Sequence, residues 1–550
     1  MSVSYSYPGI YIQELPLSTQ TITPAPTSIT AFVGYTHPWK TAAFKTAVQL
    51  FSFTDYQTYF GGLYSSGYFD SNVAQAVYQF FQNGGNNAYV VGLQPQAYGT
   101  LGNVLGQFGT ASDDISFTAQ IVPDATQPNV GIALTALEPT DIVPMTATVT
   151  NLRSSSPSAS PVVYDTYDLV ITYGTRIEVY RSVSLTAPLG QTSPQKSLDV
   201  LVNGISTLVT VAPITGTQYG TAFPYTSPAT QPTPLAPATF ALPSGMPAGF
   251  ATTFNPGVYI PMFQANSSLD NVEIFNLLLV PGVTDSTVLS AALEFAERKR
   301  AFAVIDPPEQ AQAAAISGAT LAQIDTMVAS MPVSQNGAVY FPYLMTTDLI
   351  TGLPMAVPPS GYVAGIYAST DASRGVWKAP AGLATSLLGT SGPVANGVMN
   401  DMQQGVLNLN AVNCLRTFIG AGTVVYGART LVGGQNSGYP QSKYVPVRRM
   451  TLFIEQTLVS NLKWVVFEPN DEPLWLAIRS TIEAFMLSLF NQQALQGSTP
   501  SEAFQVKCDS TTTSAADQQN GVVNIVIAVA LLKPAEFVII TISQIAGQTA

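Results

Sequence analysis

Apolar positions near the end of the chain recur with the period of an amphipathic helix. Leu474, Ile478, Ile482, Phe485, Met486 and Leu489 share one face of an α-helical repeat. Pro473 suits a first turn, whose N–H groups lack intrahelical partners anyway. Asp471 or Glu472 supplies the cap and Gly497 the stop. Upstream, Met450, Phe453, Ile454, Leu458 and Leu462 mark a second amphipathic helix. Downstream, residues 521–532 and 537–542 are short, β-branched and apolar, which predicts two strands. Two helices and two strands make an α+β unit.

The same reading runs along the rest of the chain. Residues 9–14 predict a short strand, and residues 15–28, rich in Pro, Thr and Ser, an extended arm on a linker or a frayed terminus. Ile29-Thr30-Ala31-Phe32-Val33-Gly34 predicts a core strand, residues 53–60 a helical turn closed by Gly61-Gly62, residues 72–81 a helix stopped at Asn83-Gly84-Gly85, and Ala88-Tyr89-Val90-Val91 a strand. This alternation is βαβ-like. From about 99 to 257 the composition shifts to Thr, Ser, Pro and Ala. Strand-like pieces at 146–151, 169–173, 177–180 and 198–211, with a proline-rich stretch at 223–247, predict an inserted all-β unit. The mixed pattern then resumes: a strand near 276–280, a helix over 286–300, a strand over 301–305 and another at 338–342. A strand, helix and strand in that order imply a parallel pair.

The fold class is therefore mixed α/β and multidomain. It comprises an arm and linker (1–28), the first part of a core region (29–98), an inserted mostly-β domain (99–257), a βαβ middle region (258–400) and an α+β C-terminal domain (401–550).

Composition adds a demand. Charged residues are 9% of the chain and hydrophobic ones 46%, with a mean hydropathy of +0.24, against roughly 25% charged residues in ordinary globular proteins. So much apolar surface calls for extensive subunit contacts. Membrane insertion is the competing outlet, but the uncharged run 522–532 is far short of the roughly 20 residues a spanning helix needs, so no transmembrane segment is expected. The first residues lack the basic region of a secretory signal, which implies synthesis in the cytoplasm. A net charge of −12 argues against nucleic acid as the main partner.

Candidate chemistry is sparse. His37 is the single histidine, and Cys414 and Cys508 are the only cysteines, so neither a metal set nor a disulfide framework is indicated, and no cofactor is expected. Gly420-Ala421-Gly422, with Gly427, imitates a dinucleotide fingerprint. Its last glycine is one residue late, however, and the ribose-binding acid is missing, so close backbone packing explains these glycines better. Asp471 and Glu472 sit where a helix dipole favours acids. Between Met402 and Ile454 the chain carries Arg416, Arg429, Lys443, Arg448 and Arg449 and no acid. This group is either a solvated basic face or a patch complementary to an acidic neighbour.

A set of co-linear motifs resembles the sheath proteins of contractile phage tails and contractile injection systems. It begins with Tyr7-Pro8-Gly9-Ile10-Tyr11-Ile12-Gln13-Glu14, Thr27-Ser28, Ala31-Phe32-Val33-Gly34, Phe60-Gly61-Gly62 and Phe80-Phe81-Gln82-Asn83-Gly84-Gly85. It continues with Pro281-Gly282, Asp306-Pro307-Pro308, Pro358-Pro359-Ser360-Gly361-Tyr362-Val363-Ala364-Gly365, and Asp371 on to Gly375-Val376-Trp377-Lys378-Ala379-Pro380-Ala381-Gly382. Residues 410–416, Tyr426-Gly427-Ala428-Arg429-Thr430-Leu431 and the two C-terminal helices complete it, covering about 5–95 and 270–545.

The resemblance implies a non-enzymatic subunit that polymerises as stacked rings of six around an inner tube. Baseplate and cap proteins would be further partners, and the sleeve would contract to drive the tube through a target envelope. It implies that terminal arms add strands to neighbouring subunits. Here these would be Ile10, Tyr11, Ile12 and Glu14 at one end and Phe537, Val538, Ile539, Ile540 and Ile542 at the other. The 99–257 insert follows no sheath pattern and is expected on the outer surface. One chain holding both ends speaks against the secretion-system form whose sheath is split in two. A β-rich adhesin, or a tail hydrolase needing a nucleophile or carboxylate pair, are the competing classes.

Overall fold

The computed structural model describes residues 21–37, 40–64, 71–93, 118–121, 132–136, 145–153, 166–184, 198–211, 238–239, 256–308, 326, 329–330, 333–434 and 440–542. The chain divides into two units, one formed by 1–27, 371–379 and 444–550, the other by 28–370 and 380–443.

The larger unit is built on one mixed sheet. Its first strands are β1 (Thr30–Tyr35), β2 (Ala47–Leu50) and β3 (Ala88–Leu93), with helices α1 (Phe53–Phe60) and α2 (Asn72–Gln82) between the last two. Within the insert lie β4 (Thr118–Ile121), β5 (Ile132–Ala136), β6 (Thr146–Arg153), β7 (Thr166–Tyr173), β8 (Arg176–Ser184), a short helix α3 (Leu198–Val202), β9 (Val209–Val211) and β10 (Ala238–Thr239). The main sheet resumes with β11 (Leu277–Leu279), helix α4 (Ser286–Arg298), β12 (Phe302–Ile305) and β13 (Gly337–Phe341). Next come β14 (Leu344–Thr347), β15 (Pro354–Val357), helix α5 (Ser360–Arg374), β16 (Gly392–Pro393), helix α6 (Asp401–Leu409), β17 (Val412–Phe418) and β18 (Gly422–Tyr426).

The eight strands of the main sheet run β18-β17-β13-β12-β11-β1-β3-β2. The six inner strands are parallel, and β18 and β2 close the two edges antiparallel. Parallel strands are covered on both faces, which is why β1, β11 and β12 read as unbroken apolar runs rather than alternating ones. The expected parallel pair formed by the strands around α4 is present as β11 with β12.

The chain winds outward from β1 in both directions, so the fold has a switch point between β1 and β11, where doubly wound folds often bind ligands. Here the protein's own side chains occupy it. The Gly282 N–H donates to Asp306 at 3.0 Å, and a Cβ on Gly282 would lie 2.2 Å from the Asn72 amide.

Asp306, from the Asp-Pro-Pro motif, also accepts the Ser360 N–H (2.7 Å) and hydroxyl (2.7 Å), so it ties the end of β12 to the start of α5. Burial outweighs these donors and pushes its pKa up to about 6. A raised carboxyl pKa means that the folded state holds its proton longer than the unfolded chain. Stability is therefore greatest below the unfolded value, near 4, and falls as pH rises towards 6. Denaturation midpoints measured at pH 4.5 and 6.5 should show this fall, and Asp306→Asn should flatten it; an unchanged slope in the variant would assign the pH dependence elsewhere.

Helix α5 crosses α2 at close range through Gly361, where a Cβ would come within 2.5 Å of the Ala76 backbone. The glycines read as a false nucleotide motif have two uses. Gly420 and Gly422 take positive φ (84° and 73°) in the β17–β18 hairpin, while Gly427 lies so close to Asn413 that a Cβ would sit 2.9 Å from its Cα.

The insert is antiparallel β, as its composition predicts, in sheets β10-β6-β7-β8 and β4-β5-β9. Residues 198–211, expected as one strand, instead form helix α3, a turn and β9. Leu198 and Val202, four apart, bury one helical face. Asn203 then stops the helix by pairing its amide with the backbone of Val211 (2.8 and 2.9 Å). Inside the other sheet, buried Asp168 receives a bidentate Arg153 (2.9 and 2.8 Å), Asn151 Nδ2 and the Ser182 N–H. These donors hold its carboxyl well below the usual range.

The smaller unit contains helices α7 (Val445–Asn461) and α8 (Glu472–Asn491) and a hairpin of β19 (Phe504–Lys507) with β20 (Val526–Val529). Asp471 is the N-cap of α8 and accepts the Leu474 N–H at 3.1 Å. The face expected from periodicity is the buried one: Leu474, Ile478, Ile482, Phe485, Met486 and Leu489 pack with Met450, Phe453 and Ile454 of α7. The helix ends at Asn491, short of Gly497, because Gln492 already turns the chain. Only Val526–Val529 of the run expected over 521–532 is strand.

Two boundaries differ from those read in sequence. β17 and β18 belong to the eight-stranded sheet, so the α+β unit starts at 444 rather than 401, and it also takes in residues 371–379 and the stretch before 28. Strand pairing, which local composition does not encode, sets both.

Candidate assembly surface

The smaller unit presents two chain segments at its surface. Residues 15–28 were read as a linker, yet 21–27 are fastened along α7. Thr23 exchanges two hydrogen bonds with the Asn461 amide (2.9 and 2.8 Å), the Ala25 N–H donates to Thr457 Oγ1 (3.1 Å), and the Thr27 carbonyl accepts from Arg449 Nη2 (2.9 Å). Ile22 packs on the core of the same unit. The expected arm strand itself, with Ile10, Tyr11, Ile12 and Glu14, lies outside the described residues.

At the other end, the predicted strand over 537–542 is no strand in the single chain. Phe537, Val538, Ile539, Ile540 and Ile542 are 71–90% exposed. A strand requires a neighbour to accept its ladder, and the chain offers none here. The apolar β-branched residues stay in solvent, the arrangement of a segment that another chain completes. Just before it, Glu536 accepts the Tyr444 hydroxyl at 2.9 Å.

The five cations between 402 and 454 are distributed over both units and matched by acids just outside that window. Arg416 meets Asp401 at 2.6 Å and Gln404 at 2.7 Å, and Arg448 meets Glu455 at 3.6 Å. Arg429 is buried and donates to the Asn408 carbonyl, while Lys443 lends its carbonyl to Thr430. Arg449 forms a two-point ion pair with Asp371 (2.9 and 2.6 Å), both side chains 3% exposed. An acid-free run in sequence is thus not an acid-free neighbourhood in space, and Arg429 and Arg449 are interior.

His37 is also interior. Its ring lies 4.8 Å from that of Tyr64, and its Nδ1 accepts the Lys40 N–H at 3.3 Å. Burial pushes the Cys414 thiol up to about 12. Helix α8 is long and apolar enough to cross a membrane by length and composition alone, but its apolar face is spent on the core of the unit.

Two family models match the chain: the phage tail sheath protein central domain over residues 263–431 and the phage tail sheath C-terminal domain over 439–545, together half of it. The chain belongs to the tail sheath family.

The sheath match is the one expected from the motifs, and sheath proteins are structural rather than enzymatic. A prophage major tail sheath protein of Pseudomonas aeruginosa is 27% identical over 259 residues, 46% of this chain and 61% of the relative. The tail sheath protein of Vibrio phage KVP40 is 29% identical over 196 residues, 35% of this chain and 27% of the relative. The chain thus spans less than two thirds of either relative. Solved structures share the fold over the whole length. The sheath of the extracellular contractile injection system PVC, in its contracted state, has a TM-score of 0.55 and 21% identity, covering 99% of each chain. The contracted helical sheath of the anti-feeding prophage has a TM-score of 0.54 and 20% identity, covering 98% of this chain and 100% of that one. None of the matched family domains includes the insert.

Proposed function

We propose that this chain is the subunit of a contractile sheath in a phage tail or injection particle, assembled in the cytoplasm as stacked hexameric rings around an inner tube and bounded by baseplate and cap proteins. Contraction would drive the tube through a target envelope. The exposed apolar segment 537–542 carries the reading. It is strand-like in composition, unpaired within its own chain and follows a fixed root at Glu536, which is what strand donation to a neighbour requires. Membership of the sheath family and a fold shared with contracted sheaths support it. A lattice that contracts needs two packings of nearly rigid subunits with a permanent link between them, and donated strands supply a link that survives rotation.

Electron microscopy of the purified full chain tests the proposal. Hollow tubes with a helical repeat of six subunits per ring are expected, alone or when tube and baseplate proteins are added as template. A chain that stays monomeric at high concentration, and is not recruited by those templates, is not a sheath subunit.

A further inference from the structure

Helix α7 touches the roots of both terminal segments, and it does so through polar groups at its two ends. At its C-terminal end, Asn461 and Thr457 bond Thr23 and Ala25. Arg449, further back on the same every-fourth-residue ridge, bonds Thr27. The strap runs antiparallel to the helix, with residues 23, 25 and 27 facing it.

In an extended chain the N–H and C=O of alternate residues point to one side. The residues between are Pro24 and Pro26, which have no N–H to leave unpaired and whose rings restrict the backbone to extended forms. The sequence Thr-Pro-Ala-Pro-Thr is thus shaped for one-sided docking. At the N-terminal end of α7, the N-cap residue Tyr444 bonds Glu536, one residue before the exposed tail. The helix between these anchors is about 25 Å long.

We propose that α7 is a tie bar. Force arriving through the C-terminal arm enters at Tyr444 and leaves through the strap at Thr457 and Asn461 into the N-terminal arm, so tension crosses one rigid helix instead of the packed core. This rests on the arm-exchange reading and adds the residues that anchor each arm. Arg449 has a second duty to Asp371, so the tie depends on Thr457, Asn461 and Tyr444 as its separable parts.

The test uses the full chain in two forms, Thr457→Val with Asn461→Ala, and Tyr444→Phe, which deletes one hydroxyl. In the unassembled protein, hydrogen exchange over residues 21–27 of the strap variant should quicken about five- to tenfold, with α8 unchanged. Once assembled, both variants should form sheaths that break into short pieces on contraction, while parent sheaths stay continuous. Unaltered exchange in the strap variant, or parent-like continuity of either variant after contraction, overturns the tie bar. A chain lacking residues 1–20 separates the two ideas. If it assembles normally, arm exchange fails whatever the strap does. If it does not assemble while the anchor variants contract intact, the tie bar alone fails.

Discussion

Asp371→Ala should destabilise the smaller unit by about 3–5 kcal/mol, the largest single-residue effect on stability expected in this chain. The carboxylate faces both terminal nitrogens of Arg449, and both side chains are 3% exposed. Removing the acid leaves a guanidinium buried with one carbonyl, that of Thr27, as its remaining printed partner in this pair's surroundings. The desolvation already incurred is then uncompensated, which is why losing one partner costs far more than the pair contributes. Trp377, Trp464 and Trp475 lie in this unit, so its unfolding in denaturant can be followed by fluorescence. A shift below about 1 kcal/mol would mean that water reaches Arg449 and that the pair behaves as a surface bridge. Replacing both partners together, Asp371→Leu with Arg449→Met, should recover much of the loss. Family motifs place Asp371 in a stretch shared with sheaths, and the structure gives the physical reason: residues 371–379 leave the end of α5 and pack with α7, Val376 beside Met450.

Val538→Asp with Ile540→Asp should have the opposite profile: almost no effect on the isolated chain and loss of assembly. Both residues are 79% exposed, so the substitutions alter stability by no more than about 0.5 kcal/mol. In a donated strand, however, positions two apart share a face. Two carboxylates would then be driven into a neighbour's apolar sheet, at a cost of several kcal/mol per subunit. Sedimentable sheath should fall to background while the unfolding transition stays put. Ile539→Asp places one charge on the other face and shows which face is covered. Normal sheaths from the double variant would exclude this tail as the donated strand and leave the N-terminal arm as the link.

Much of this was legible locally. The apolar ridge of α8, its Asp471 cap, the unbroken runs of β1, β11 and β12, and the parallel pairing across α4 follow from side-chain size and spacing within a few residues. Co-linear motifs were enough to reach the family. Where reading failed, a competing local signal won. Over 198–202 the valines favour a strand, but two apolar residues four apart with a buried side to fill made a helix. The 537–542 run has strand chemistry without strand structure, since a strand is a property of a pair of segments.

What the sequence by itself determined was the kind of each segment and the family of the whole, because propensity, capping and periodicity act between neighbours in the chain. Only the tertiary structure decided which distant segments meet. Ile29 bonds Asn276 across the entire insert, so β1 and β11 form one sheet. Thr23 finds Asn461 at a separation of 438 residues, which turns an apparent linker into a strap. Acids at 401, 455 and 371 neutralise cations that look unopposed in the sequence. Each of these joins groups whose local sequences carry no record of one another, and what selects them is the free energy of packing the whole chain.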